Sequence, residues 1–125
     1  MYIETMTIYL VDYENVSEKG LVGYQNVQEE DRVIVFYNAA LNPKIPISVV
    51  QFLGSRMEFQ EVPKSGKNYL DIYLSTYLGR ITEQCPEANF VIVSRDKDYA
   101  PAMDCCRCAG VRVSQVQSLA QSFAG

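Results

Sequence analysis

Residues 6–12, MTIYLVD, and 90–94, FVIVS, are short runs that are apolar on both faces, rich in β-branched and aromatic side chains, and closed by a polar residue. A third run of the same kind, RVIVFY, covers residues 32–37. All three are too short for helices. A strand apolar on both faces must lie between two layers, as in a parallel sheet covered on each side. Residues 57–62, MEFQEV, alternate apolar and polar as a half-exposed strand does, and 111–113, VRV, complete a set of five.

Between these runs the period changes. Leu70, Tyr73, Leu74, Tyr77, Leu78 and Ile81 recur at three- and four-residue steps, which predicts a helix over 67–84. Ser65 and Gly66 suit its start, and Pro86 ends it by disfavouring helical geometry at Cys85. Pro46 opens a second helix over 46–55. Asp98 is a suitable cap for a third that stops at Gly110, and residues 115–123 are expected to form a last short one. Asn15, with Glu18 three residues on, has the form of a capping box after the first strand. Strand and helix therefore alternate, which predicts an α/β fold with right-handed crossovers.

The chain has 125 residues, enough for one domain over 1–125, and its composition is 48% hydrophobic and 21% charged, which excludes a mainly disordered chain. No stretch is long and apolar enough to cross a membrane, and Met1–Glu4 lacks the basic start of a secretory signal. A cytoplasmic location without membrane contact is the expectation. Eleven Lys and Arg against fifteen Asp and Glu leave −4, so no global basic surplus draws a polyanion; any such partner needs a local arrangement. Cys105, Cys106 and Cys108 crowd one stretch and Cys85 stands apart, which is not a disulfide framework. With no His in the chain, they read as reduced packing thiols, not a zinc site.

Ligands of open parallel sheets bind beyond the carboxyl ends of the strands, where the winding direction reverses. The first strand ends in Asp12, within Val11–Asp12–Tyr13–Glu14–Asn15, and the fourth runs into Ser94–Arg95–Asp96–Lys97–Asp98–Tyr99. In a sheet wound 3-2-1-4-5 these two strands are neighbours, and Asp12, Asp96 and Asp98 converge. Asp71, four residues after Lys67, is expected to share a helical face with it and to complete the cluster. Four acids in one cleft repel one another unless a cation compensates. Mg²⁺ or Mn²⁺, which take oxygen ligands, are the natural choice.

The same residues carry a family resemblance. Val11–Asp12–Tyr13–Glu14–Asn15–Val16, Lys67–Asn68–Tyr69–Leu70–Asp71 and Ser94–Arg95–Asp96–Lys97–Asp98–Tyr99 resemble, in order, the acidic motifs of PIN-like domains, in particular their NYN-related and bacterial PIN-like branch. The resemblance implies a doubly wound PIN-like domain with a five-stranded parallel sheet of order 3-2-1-4-5. It also implies a metal-dependent nuclease, usually acting on RNA, with Asp12, Asp71, Asp96 and Asp98 as metal-holding catalytic acids. One departure stands out. Many PIN nucleases carry a further acid on the helix after the second strand, but residues 47–55, ISVVQFLGS, contain none, and Glu58 and Glu61 on the next strand are doubtful substitutes.

These readings together predict a phosphodiester hydrolase using Mg²⁺ or Mn²⁺, an endoribonuclease acting on single-stranded or structured RNA, with single-stranded DNA as the other candidate substrate. Lys67 is expected to contact the scissile phosphate or orient Asp71, Asn15 to hold water or substrate, and Arg95 and Lys97 to contact flanking phosphates. Homo-oligomerisation is compatible with all of this. The rival reading is a catalytically inactive PIN-like module that binds RNA or another protein. A phosphoryl-transfer receiver is disfavoured: Asp12–Tyr13–Glu14 lacks the paired aspartates, and Val62–Pro63–Lys64 stands where the acceptor Asp belongs.

Overall fold

The apolar runs form the strands that their composition predicts. A computed structural model describes residues 6–122. It contains β1 (Thr7–Asp12), β2 (Arg32–Tyr37), β3 (Met57–Glu61), β4 (Asn89–Val93) and β5 (Arg112–Val116), all parallel, in the order β3-β2-β1-β4-β5. The helices are α1 (Tyr13–Val16), α2 (Ile47–Leu53), α3 (Tyr69–Gln84), α4 (Ala100–Cys108) and α5 (Leu119–Ser122).

The two-residue period of a strand explains why the central runs are apolar throughout. Ile8 and Leu10 of β1, Ile34 and Phe36 of β2, and Phe90 and Ile92 of β4 point to one face, where Leu70, Leu74 and Leu78 of α3 and Met103 of α4 cover them. Tyr9 and Val11, Val33 and Val35, and Val91 and Val93 point to the other face, beneath Val16, Leu21, Val49, Leu53 and Leu119. The register then fixes the site: Val11 pairs with Val93, so Asp12 and Ser94 lie side by side just beyond their strands.

Several local expectations change. Asn15 does not open a capping box; Asp12 caps α1 by accepting from the Asn15 N–H at 3.2 Å, because α1 follows β1 without a spacer. Asp98 does not cap α4 but lies within a 3₁₀ turn, Lys97–Tyr99, that Asp96 caps. The long helix starts at Tyr69 after Asn68 in left-handed conformation (φ 64°), so Lys67 stands outside it and shares no helical face with Asp71. Pairing with β4 extends the last strand to Val116, which shortens the final helix; residue 123 of the expected helix lies outside the described residues. On the edge strand β3, Met57 is buried while Phe59 is exposed, its ring set edge-on to Tyr37 at 6.3 Å.

Packing between α1 and the sheet sets a size limit at Gly20, which is buried and where a Cβ would overlap the Val16 side chain with Val93 Cγ1 next at 3.5 Å. Gly79, by contrast, lies on the exposed face of α3 with open space around it. Gly20→Ala should therefore destabilise by about 1–3 kcal/mol through overpacking. Gly79→Ala should stabilise by about 0.5–1 kcal/mol through the entropy of the unfolded chain. Urea denaturation of the two variants checks both, and equal shifts in one direction would contradict this packing.

Candidate metal centre

Asp12 is the buried anchor of the site, with 5% of its surface exposed. Its Oδ2 accepts from Ser94 Oγ at 3.1 Å and from the Tyr99 hydroxyl at 3.0 Å, while its Oδ1 accepts from the Asn15 N–H. Ser94 Oγ in turn accepts from the Asp96 N–H at 3.1 Å, so one hydroxyl links the Asp12 carboxylate to the backbone that carries Asp96. Asp96 Oδ1 accepts from the Asp98 N–H at 2.9 Å. Gln115 of β5 closes the loop from beneath by donating to Ser94 O at 2.8 Å and Asp96 O at 2.7 Å.

Asp71 comes to the same place from the first turn of α3. One carboxylate oxygen from each of Asp71, Asp96 and Asp98 lies within 4.8 Å of the others. Asp12 is not in this trio, but it lines the same cleft of about 180 Å³ with Glu14, Asn15, Asn68, Asp71 and Asp96. Three carboxylates so close are hard oxygen donors, and none of them has an ion-pair partner among the described residues. That donor set fits a divalent cation of the magnesium or manganese type. The cysteines contribute nothing to it: Cys105 and Cys108 are exposed on α4 and Cys106 is buried.

The expected substrate residues divide. Asn15 lines the cleft, but its Oδ1 accepts from the Arg95 N–H at 2.8 Å and its carbonyl from the Arg95 guanidinium at 2.9 Å. This pair clamps α1 to the loop after β4. Lys97 borders a neighbouring hollow of about 740 Å³ between α3 and α4, together with Asp71 and Asp98. Lys67 is exposed in the turn between Gly66 and Asn68, which line the cleft while Lys67 does not. Of the two acids on β3, Glu58 is paired with Arg32 at 3.0 Å and Glu61 is exposed, and neither lines the acidic cleft.

Ser94, Tyr99, Gln115 and Glu14 were not singled out by sequence reasoning. Ser94 and Tyr99 bracket the third acidic motif, and Glu14 lies inside the first, so their positions carried a signal. Gln115 carried none, because its role depends on which strand becomes the neighbour of β4.

Burial lifts the Asp12 carboxyl above its usual range, against the opposing hydrogen bonds from Tyr99, Ser94 and the Asn15 backbone. Asp71 is lifted as well, by burial first and then by the charge of Asp96. Burial, followed by the Asp12 charge, pushes the Tyr99 phenol far up, so it remains a neutral donor. Both folded carboxyl values lie above their unfolded ones, so the folded chain holds more protons. The stability these two groups contribute is full below about pH 4 and is lost as pH rises through the raised folded values. Without metal, Asp71→Asn should thus melt higher than wild type at neutral pH, with the gap closing toward about pH 4. A melting series in EDTA tests this, and a constant difference across pH would mean that Asp71 carries no such penalty.

No curated protein and no solved structure matches the chain significantly. A family model described as PIN domain matches residues 6–116, a span that holds all five strands and every acid of the cluster. Domains of this family are generally metal-dependent nucleases, and the sheet order and the acidic mouth agree with that match. The chain belongs to the PIN domain family.

Proposed function

We propose that this protein is a divalent-metal-dependent endoribonuclease that hydrolyses phosphodiester bonds of single-stranded or structured RNA, with single-stranded DNA as the competing substrate. The observation that carries the reading is the set of carboxylate oxygens from Asp71, Asp96 and Asp98 within 4.8 Å of one another, at the mouth of a cleft and without a cationic partner among the described residues. These three would hold Mg²⁺ or Mn²⁺, and Asp12 would complete the charge of the site from beneath. When bound, the ion supplies an activated water and offsets charge building on the phosphate.

The chain's own groups do the rest. Asp12 fixes the Ser94 and Tyr99 hydroxyls, and Ser94 holds the backbone at Asp96, so the carboxylates keep their spacing before substrate arrives. Such preorganisation spares the site reorganisation during the reaction. Lys97, which borders a hollow with Asp98, and Lys67, on the exposed turn, would contact flanking phosphates. Arg95 acts chiefly by holding Asn15 and keeps part of its charge for substrate. The cysteines Cys85, Cys105, Cys106 and Cys108 are unbridged, which suits a reducing compartment such as the cytoplasm.

Cleavage of labelled single-stranded RNA should require Mg²⁺ or Mn²⁺, and Asp96→Asn should reduce it to the level seen in EDTA, because the amide keeps the shape and removes the charge. Undiminished cutting by that variant would refute the mechanism. RNA binding without cutting by wild type would favour the inactive module. The combined Cys105→Ser, Cys106→Ser and Cys108→Ser variant should bind Mn²⁺ as wild type does in calorimetry, since soft ligands are poorly suited to this ion. A lost or weakened Mn²⁺ isotherm would show that the thiols take part.

A further inference from the structure

Tyr69, Tyr73 and Tyr77 follow one another at four-residue steps on α3, which sets them on one face of the helix. With Ile72, Thr76 and Arg80 they line an open hollow of about 370 Å³. All three tyrosines are half-buried and pack against the core, where the buried Phe36 meets Tyr73 edge-on at 6.4 Å and Tyr77 at 5.1 Å between ring centres. The rings are thus held in place before any ligand arrives, which lowers the ordering cost of binding. Ile72 is 64% exposed, and Arg80 has no carboxylate within ion-pair distance among the described residues. The hollow is not isolated. Ile72 and Thr76 also border the hollow that holds Asp71, Lys97 and Asp98, and Asp71 in turn lines the acidic cleft. One continuous surface therefore leads from the carboxylates along α3 to Arg80.

We propose that the tyrosine row of α3 is a stacking track for the bases of a single-stranded polynucleotide that leads out of the acidic cleft. Base faces stack on aromatic rings whatever the sequence, and cations beside the rings meet the phosphates. Successive tyrosines stand about 6 Å apart along the helix axis, close to twice the rise per nucleotide of a stacked strand, about 3.4 Å. That spacing suits a strand drawn out so that a ring stands where a neighbouring base would. Paired bases keep their faces stacked inside the duplex, so a double helix has nothing to offer the row. Lys97 in the connecting hollow and Arg80 at the far end supply the cations. A protein partner would have to bury Arg80 and three phenol hydroxyls that make no hydrogen bond among the described residues, whereas a polynucleotide meets them with phosphate and ribose oxygens. The choice of a nucleic acid as occupant rests on the nuclease reading of the cleft, and the track narrows that substrate to single strands.

The test uses the full chain in EDTA at low salt, with a fluorescein-labelled single-stranded RNA of mixed sequence and a duplex of the same sequence, read by fluorescence anisotropy. Wild type should bind the single strand more tightly than the duplex. Tyr73→Leu with Tyr77→Leu keeps apolar bulk over Phe36 and removes two rings. It should bind the single strand at least about twentyfold more weakly, at about fivefold or more per ring, and the duplex as wild type does. Tyr73→Phe with Tyr77→Phe keeps the rings and should bind as wild type. Arg80→Gln, at an exposed position, should lower the slope of log affinity against log salt by about 0.7 for the single strand. If the leucine variant fails to fold, that slope decides, and an unchanged slope overturns the track. Equal single-strand affinity of the leucine variant and wild type, an equal loss for the duplex, or no single-strand binding by wild type would also overturn it. So would a wild-type dimer in sedimentation that the leucine substitutions dissociate, since the face would then be a contact between copies. Ring-dependent binding by a chain that cuts no RNA with Mn²⁺ would retain the track and refute the nuclease. Mn²⁺-dependent cutting with unchanged KM in the leucine variant would do the reverse.

Discussion

A single buried carboxylate ties the sheet of this protein to its chemistry. Asp12 stands at the end of β1 with a few per cent of its surface exposed and accepts three hydrogen bonds, from Ser94, Tyr99 and the Asn15 backbone. A buried charge without partners is strongly unfavourable, so each of those contacts is obligatory. The first binds β1 to the loop after β4, the second fastens the start of α4, and the third begins α1. Remove the charge and three elements lose a common point of reference.

Two consequences follow for the surface above. The backbone that leaves β4 is held from one side by Ser94 and from the other by Gln115, and this narrow bend presents Asp96 and Asp98 outward. Asp71 meets them from α3, a helix placed by Leu70, Leu74 and Leu78 packing on the sheet, not by any contact among the acids themselves. The trio is thus assembled against its own repulsion by apolar packing elsewhere. Such a site is poised for a cation because the hydrophobic core has already brought its ligands together.

Under the proposed function, the acidic mouth is also how a chain with net charge −4 would serve a polyanion. Without a bound cation the cleft repels phosphate, and a divalent ion would offset two of its negative charges and offer phosphate oxygens a ligand position. On that reading affinity is conditional on the metal, with Lys97 on the neighbouring hollow and Lys67 on an exposed turn as the nearby cations.

The fold was legible in the sequence because the reasons for it are local. Runs such as MTIYLVD and RVIVFY have no polar face to show to solvent, so they must be central strands, and Leu70, Leu74 and Leu78 can serve only a helix covering them. Asp12, Asp71, Asp96 and Asp98 stood out for the same reason, each as a charge at or near the end of an apolar element. What the sequence left undecided depends on distance through space. It did not separate Asp12, turned inward to three donors, from the outward trio, nor show that Lys67 lies off the helix because Asn68 adopts a left-handed backbone. The partners of Asn15, Ser94 and Gln115 lie roughly twenty to eighty residues away. Periodicity reports which face of an element is apolar, but hydrogen bonds between distant residues exist only after the sheet order has set its neighbours, and that order is a property of the packed chain.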